Sequence, residues 1–201
     1  METPMMSGQA SDFAVTFETL SLGLIEQVMT QFTLRREGAH GIGHWARVLE
    51  NGRRLATKVD VPVRVVELFA VLHDSQRLTE SVDRQHGERA GLYARELARQ
   101  GAIQLPHEEL EALVHACHFH SAGLVQGPLV VQVCWDADRL DLGRVGNEPV
   151  RERLCTEAAR EPDIFDWARA RGGSRIVPDL IAEEWGVTYR RGAARPPPPA
   201  P

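Results

Sequence analysis

The run VVELFAVLHD, residues 65–74, joins a nearly uninterrupted apolar stretch to an adjacent histidine and carboxylate. Val65, Val66, Phe69 and Leu72 recur at helical spacing, which predicts a buried helix ending at His73-Asp74. Asp60-Val61-Pro62 starts it, with proline near a first turn where its missing N–H does no harm. Neighbouring side chains on a helix diverge by about 100°, so His73 and Asp74 share a target only where the last turn opens. A buried carboxylate without a partner is costly. Two outcomes therefore fit this segment taken alone. One is a divalent cation completed by another imidazole and another carboxylate; the other is a simple Asp–His contact at a helix end.

Outward from this run the pattern stays helical. Ser11-Asp12 is placed as the cap of a helix reaching about Arg35, with Phe17, Leu20, Leu24, Ile25, Val28 and Phe32 on one stripe. The glycines of GAHGIGH (38–44) interrupt it, and a second helix is expected from about Gly43 to Thr57. Ser75 to Gln85 is polar and aperiodic, a loop across the open side of the domain. Further helices read at roughly 86–100, 107–120, 129–142, 149–160 and 178–186. Leu129-Val130-Val131-Gln132-Val133 has some strand character and is taken as a buried helical start. The fold class is thus all-α. One compact multi-helix domain is expected over 11–188, after a flexible leader (1–10) and before a disordered proline-rich tail (189–201).

Composition narrows the function. The 201 residues carry a net charge of −5 with histidine neutral, and Lys58 is the only lysine. No basic block is long enough for a nucleic-acid footprint, so long nucleic acids are excluded as partners. Arginine-rich positive charge still suits a small phosphate-bearing ligand. The three cysteines, Cys117, Cys134 and Cys155, lack C-x-x-C spacing, which argues against a disulfide framework or thiolate zinc. With no apolar run of about 20 residues and no basic-then-apolar leader, a cytoplasmic protein that does not enter membranes is expected. A homo-oligomer is compatible with Trp167 and Trp185 on helical stripes.

Eight histidines stand out, among them His40, His44, His73, His86, His115, His118 and His120. Three stretches in order, GHWARVLENGRRLA (43–56), LFAVLHD (68–74) and CWDADRLDLGRV (134–145), resemble the motifs of the HD superfamily of metal-dependent phosphohydrolases. These are a histidine ahead of an Arg-Val pair, the His-Asp doublet, and an Ala-Asp-Arg-Leu stretch with the final aspartate; together they span a motif core at 41–145. The resemblance implies a metal set of His44, His73, Asp74 and Asp138. Helix geometry separates Asp138 from Asp136, because residues two apart project about 200° from each other. Asp136 is left to a supporting position or the opposite surface, and Arg139 is expected to pair with Asp136 or Asp141. Relatives with two metals add histidines between the doublet and the last aspartate; His86 and His120 resemble these best. His40 is read as a surface residue or, alternatively, as lining the cleft mouth. His120 is turned about 140° from His115, so His115, His118 and His120 are not expected to meet at one centre.

The expected cofactor is Mn(II), Fe(II), Co(II) or Mg(II), one ion with a second possible, since imidazole and carboxylate ligands suit these better than thiolate-seeking ions. The expected reaction is hydrolysis of a phosphate ester or anhydride, of a nucleotide or another small phosphorylated molecule. Asp74 is read as ligand and proton acceptor, with Arg77, His86 and His120 orienting the phosphate. In the nucleotidase-like branch of the family a glutamate stands near the position of Arg77. Substrate selection is assigned to the loops 75–85 and 121–128. A non-catalytic metal- or nucleotide-binding regulatory module and a diiron oxygenase are the competing readings.

Overall fold

The structure, a computed structural model, describes residues 19–189. Six longer helices form its body: α1 (Leu22–Gln31), α2 (Ile42–Ala56), α3 (Val63–Leu72), α4 (His86–Arg99), α5 (His107–Phe119) and α6 (Leu129–Arg139). Shorter α7 (Glu157–Arg160), α8 (Pro162–Gly173) and α9 (Leu180–Glu183) follow, with 3-10 turns at Leu142–Val145 and Arg151–Arg153. No strand occurs among the described residues, so the all-α expectation is met and Leu129–Val133 is helical.

Two helix pairs set the frame. α2 lies along α3, α4 lies along α5, and α6 packs against α2, α3 and α5. Trp45, Leu49, Leu68, Phe69, Leu72, Leu97, Leu113, Trp135 and Leu140 are fully buried where these helices meet. Two close approaches require glycine. A Cβ at Gly52 would collide with the Val66 side chain, so α2 and α3 touch nearly backbone to side chain. A Cβ at Gly87 would come 2.5 Å from the Cys117 carbonyl oxygen, so the first turn of α4 can seat on the last turn of α5. That second contact brings His86, which begins α4, beside His120, the C-cap residue of α5.

Four expected boundaries change. The first helix starts at Leu22, capped by Ser21, whose Oγ accepts the Leu24 N–H at 3.2 Å. The proposed cap at Ser11-Asp12, the leader over 1–10 and the tail from residue 190 onward lie outside the described residues. The same helix stops at Gln31, because Phe32 turns to extended backbone and meets Trp45 edge to face at 4.9 Å. The segment 149–160 is not one helix. The buried Asp136 carboxylate accepts the N–H groups of Cys155 (2.7 Å) and Thr156 (2.8 Å), withdrawing them from helical bonding. Thr156 then caps α7 through the Ala159 N–H. Finally, α6 ends at Arg139, and α8 forms where the sequence reading placed no separate helix. Pro162 at its first turn was the available signal.

Candidate metal centre

His44 projects from α2, His73 and Asp74 from the end of α3, and Asp138 from the last turn of α6. The packing of α6 on α2 and α3 brings the three segments together. His44 Nε2 lies 3.0 Å from His73 Nε2, 3.5 Å from Asp74 Oδ2 and 3.4 Å from Asp138 Oδ1. His73 Nε2 is 3.8 Å from the same two carboxylate oxygens. The four residues expected from the sequence therefore meet at one point, with Asp138 only 8% exposed.

The other Asp74 oxygen faces a second group. Oδ1 is 3.3 Å from His86 Nε2 and 3.6 Å from His120 Nε2, and these two nitrogens are 2.8 Å apart. Asp74 is thus shared by two sets of possible ligands, His44/His73 on one side and His86/His120 on the other.

The state of the imidazoles follows from their remaining nitrogens. His44 Nδ1 faces the Asp141 carboxylate at 2.8 Å, His73 Nδ1 the Phe69 carbonyl at 3.0 Å, and His120 Nδ1 the Cys117 carbonyl at 2.7 Å. His86 Nδ1 bonds the Asp83 carbonyl. Each Nδ1 meets a pure acceptor and so carries a proton, which leaves the Nε2 of each ring that is neutral with a lone pair. His44 and His73 then face one another lone pair to lone pair across 3.0 Å, and His86 and His120 approach to 2.8 Å with Arg77 Nη1 3.2 Å from His86 Nε2. Around the shared carboxylate no neutral group satisfies the His44/His73 pair. A divalent cation does. Two ligands at right angles, each about 2.1 Å from an ion, stand about 3 Å apart. Asp138 Oδ1 points the same way, because it is buried without any hydrogen-bond partner. The residues fit a metal.

Burial lowers the His44 pKa well below its ordinary value, and Arg144 adds to the effect. Burial likewise pulls His73 down to about 4, so both offer free lone pairs at neutral pH. Burial, then the neighbouring His120, lowers His86. At His120 burial also lowers the pKa, but hydrogen bonding to Asp74 and the charges of Asp138 and Asp74 outweigh it and raise the net value. Burial would raise Asp74 and Asp138. Asp74 is held well below the carboxylate range by His73, His120, His40 and His44, and Asp138 is lowered by Arg144 and the imidazoles.

Other expectations divide. Arg77 is in the site: its Nη1 is 3.4 Å from Asp74 Oδ1 and 3.2 Å from His86 Nε2, and Nη2 donates to the Ser81 carbonyl at 2.8 Å. Of the two readings of His40, the surface one does not hold, since its Nδ1 lies 2.8 Å from Asp74 Oδ2. The glycines break the helix before it, and Trp45 Nε1 donating to the His40 carbonyl at 2.9 Å folds the segment back. His115 packs on Phe119 and Trp135, and His118 on Phe119, away from the centre. Asp136 is buried and anchors Cys155 and Thr156, so the supporting alternative holds and the surface one does not. Arg139 pairs with neither Asp136 nor Asp141; its guanidinium turns to the Arg153 and Leu124 carbonyls and the Cys155 sulfur.

Two participants were missed. Asp141 takes a bidentate contact from Arg47 (2.7 and 3.0 Å) while it orients His44. Arg144 lies 3.7 Å from Asp138 and 3.9 Å from Asp74, steadied by the Ala39 and Asp141 carbonyls. Their signal was spacing: 138, 141 and 144 step by three along CWDADRLDLGRV and stay on one side of the chain. A cavity of about 810 Å³ opens from the centre, lined by Asp74, Arg77, His86, His120, Asp138 and Arg144 and continuing past Arg139 to Arg153. The expected loops contribute Arg77, Ser121, Gly123 and Val125, but the far wall is the unanticipated stretch 142–153.

No family model matches the chain, and no curated protein matches it. Among solved structures it is similar to a predicted HD superfamily hydrolase from an uncultured Thermotogales bacterium. The TM-score is 0.55 and the identity 25%, over 81% of this chain and 90% of that one. The fold and the His/Asp cluster both fit an HD domain. The His-Asp doublet of this site is His73-Asp74, and His40, His44, His73, Arg77, His86, His120 and Arg144 all stand between 2.8 and 3.9 Å from the Asp74 carboxylate. None of the described helices is long and apolar enough to cross a membrane.

Proposed function

We propose that the chain is a metal-dependent hydrolase acting on a phosphate ester or anhydride of a small molecule, a nucleotide among the candidates, in the cytoplasm. One ion would be held by His44, His73, Asp74 and Asp138, and a second by Asp74, His86 and His120. The observation that carries this reading is the convergence of four imidazole Nε2 atoms on one shared carboxylate at the floor of a cleft. The similarity to a predicted HD superfamily hydrolase supports it.

A divalent ion bound there would supply Lewis acidity and a water acidic enough to act as hydroxide near neutral pH. The chain does the rest. Arg77 is fixed by Asp74 and by the Thr79 and Ser81 carbonyls, so its guanidinium faces the centre without reorganising when phosphoryl charge develops. Arg144 stands on the Asp138 side, equally held. Between them a phosphoryl group meets cationic donors from two directions. His40 braces the Asp74 oxygen that faces His44.

The test is metal analysis of the purified protein. Reconstitution with Mn(II), Fe(II), Co(II) or Mg(II) and a screen of nucleotides and small phosphate esters follow. About two ions per chain and turnover abolished by chelation are expected. Replacing His86 and His120 together by alanine should leave about one ion and lower turnover at least roughly 10²-fold. A chain that takes up no ion and turns over nothing with any of these metals overturns the proposal. Two ligand groups on Asp74 also offer the two ion positions of the diiron oxygenase reading; oxygen consumption by iron-loaded protein would select that reading. Saturable nucleotide binding without product would select a regulatory module.

A further inference from the structure

The cleft holds more positive charge than the metal centre uses. Arg77 and Arg144 face Asp74 and Asp138, and that pairing accounts for their placement. Arg139 and Arg153 line the same cavity further out and have no carboxylate. Arg139 is held by the Arg153 carbonyl at 3.0 Å, the Cys155 sulfur at 3.1 Å and the Leu124 carbonyl, all neutral acceptors. A guanidinium has five N–H donors, so some of those on Arg139 remain free. It also stacks over Trp135 at 5.8 Å, which limits its motion. Among the described residues the Arg153 side chain has no hydrogen bond or ion pair, and it is exposed. Glu148, the remaining acid of this wall, is engaged by Arg169 at 3.2 Å. Two cations without counter-charges, one of them rigidly seated, therefore flank the path out of the metal centre.

Both arginines line the cavity that holds the centre, and Arg139 follows Asp138 directly. Adjacent helical residues project about 100° apart, so one points to the metal site and the next along the cleft. We propose that Arg139 and Arg153 form a subsite for a second anionic group. The substrate is then a phosphate ester or anhydride that carries a further phosphate or carboxylate close to the scissile one. This rests on the hydrolase reading above for which group is cleaved, but the subsite itself rests on the two arginines.

Three non-hydrolysable probes test it on Mn(II)-reconstituted full-length protein by titration calorimetry. Methylphosphonate has one anionic group, phosphonoacetate adds a carboxylate, and methylenebisphosphonate adds a second phosphonate. At least one two-anion probe should bind roughly tenfold or more tightly than methylphosphonate, the gain expected of charge-assisted bonds from a guanidinium. Which probe gains tells a carboxylate from a phosphate. Arg153→Ala and Arg139→Gln should each reduce that preference severalfold. Comparing variants with the same probe and metal cancels chelation in solution. The exposed Arg153 side chain makes no hydrogen bond or ion pair among the described residues, so its variant should stay folded even if Arg139→Gln does not. Equal affinity for all three probes, or a preference unchanged in Arg153→Ala, overturns the subsite. Ion content measured on the same samples judges the hydrolase reading separately. Protein that takes no ion yet keeps the preference loses the hydrolase assignment and retains the subsite.

Discussion

Asp74→Asn should strip both ions and lower turnover by roughly 10³-fold or more, the scale of losing metal-assisted and electrostatic catalysis together. The substitution changes almost no volume. It replaces a carboxylate whose two oxygens face different candidate ligand sets with an amide that keeps one acceptor and adds a donor. Oδ2 stands within 3.5 Å of His44 Nε2 and Oδ1 within 3.3 Å of His86 Nε2. Whichever way the amide turns, an N–H₂ group confronts a lone pair or an ion. Elemental analysis of the variant should find well under one ion per chain, and circular dichroism should show the helices intact. Asp136→Asn is the informative comparison. That carboxylate is equally buried, but it holds Cys155 and Thr156 instead of facing the centre. Its loss should lower the melting temperature while both ions stay bound. Retention of two ions by Asp74→Asn would remove the basis for a shared centre.

Periodicity and breakers made most of the helices legible, because each is amphipathic enough to show which face it buries. The meeting of four side chains was legible for a different reason. His44, His73, Asp74 and Asp138 sit at fixed places relative to helix ends, and the motifs that mark them are short and local. What could not be read was long-range. His40 reaches Asp74 across 34 positions of sequence, and Asp141 reaches His44 across 97. Whether Arg139 meets Asp136, Asp141 or a row of carbonyls depends on where the segment after α6 returns. The sequence reading gave that segment a helix over 149–160, although Asp136 binds the very N–H groups such a helix would need. The error in the helix and the error in the arginine share this one cause.

Asp141→Ala should be the most destabilising substitution near the site that touches no ligand position. Arg47 is 5% exposed and places its Nε and Nη2 on the two Asp141 oxygens, with only the Ile176 carbonyl as a further acceptor. Removing the anion strands a buried guanidinium, which costs about 3–5 kcal/mol. For a domain of this size that corresponds to a fall in melting temperature on the order of 10 °C. The same change leaves His44 Nδ1 without its acceptor, freeing the ring to rotate or to switch its proton to Nε2. Metal affinity should therefore fall roughly 10- to 100-fold, as is usual when the partner of a ligating histidine is removed. The two effects separate in Arg47→Met/Asp141→Leu. Two apolar side chains of similar reach remove the stranded charge, so denaturation midpoints should return most of the way to the parent value. Metal affinity should not recover, since leucine offers His44 no acceptor. A double variant that regained both would mean that Asp141 serves only the packing of Arg47. Recovery of stability alone would show that one carboxylate fastens α2 to the chain after α6 and fixes the tautomer of His44.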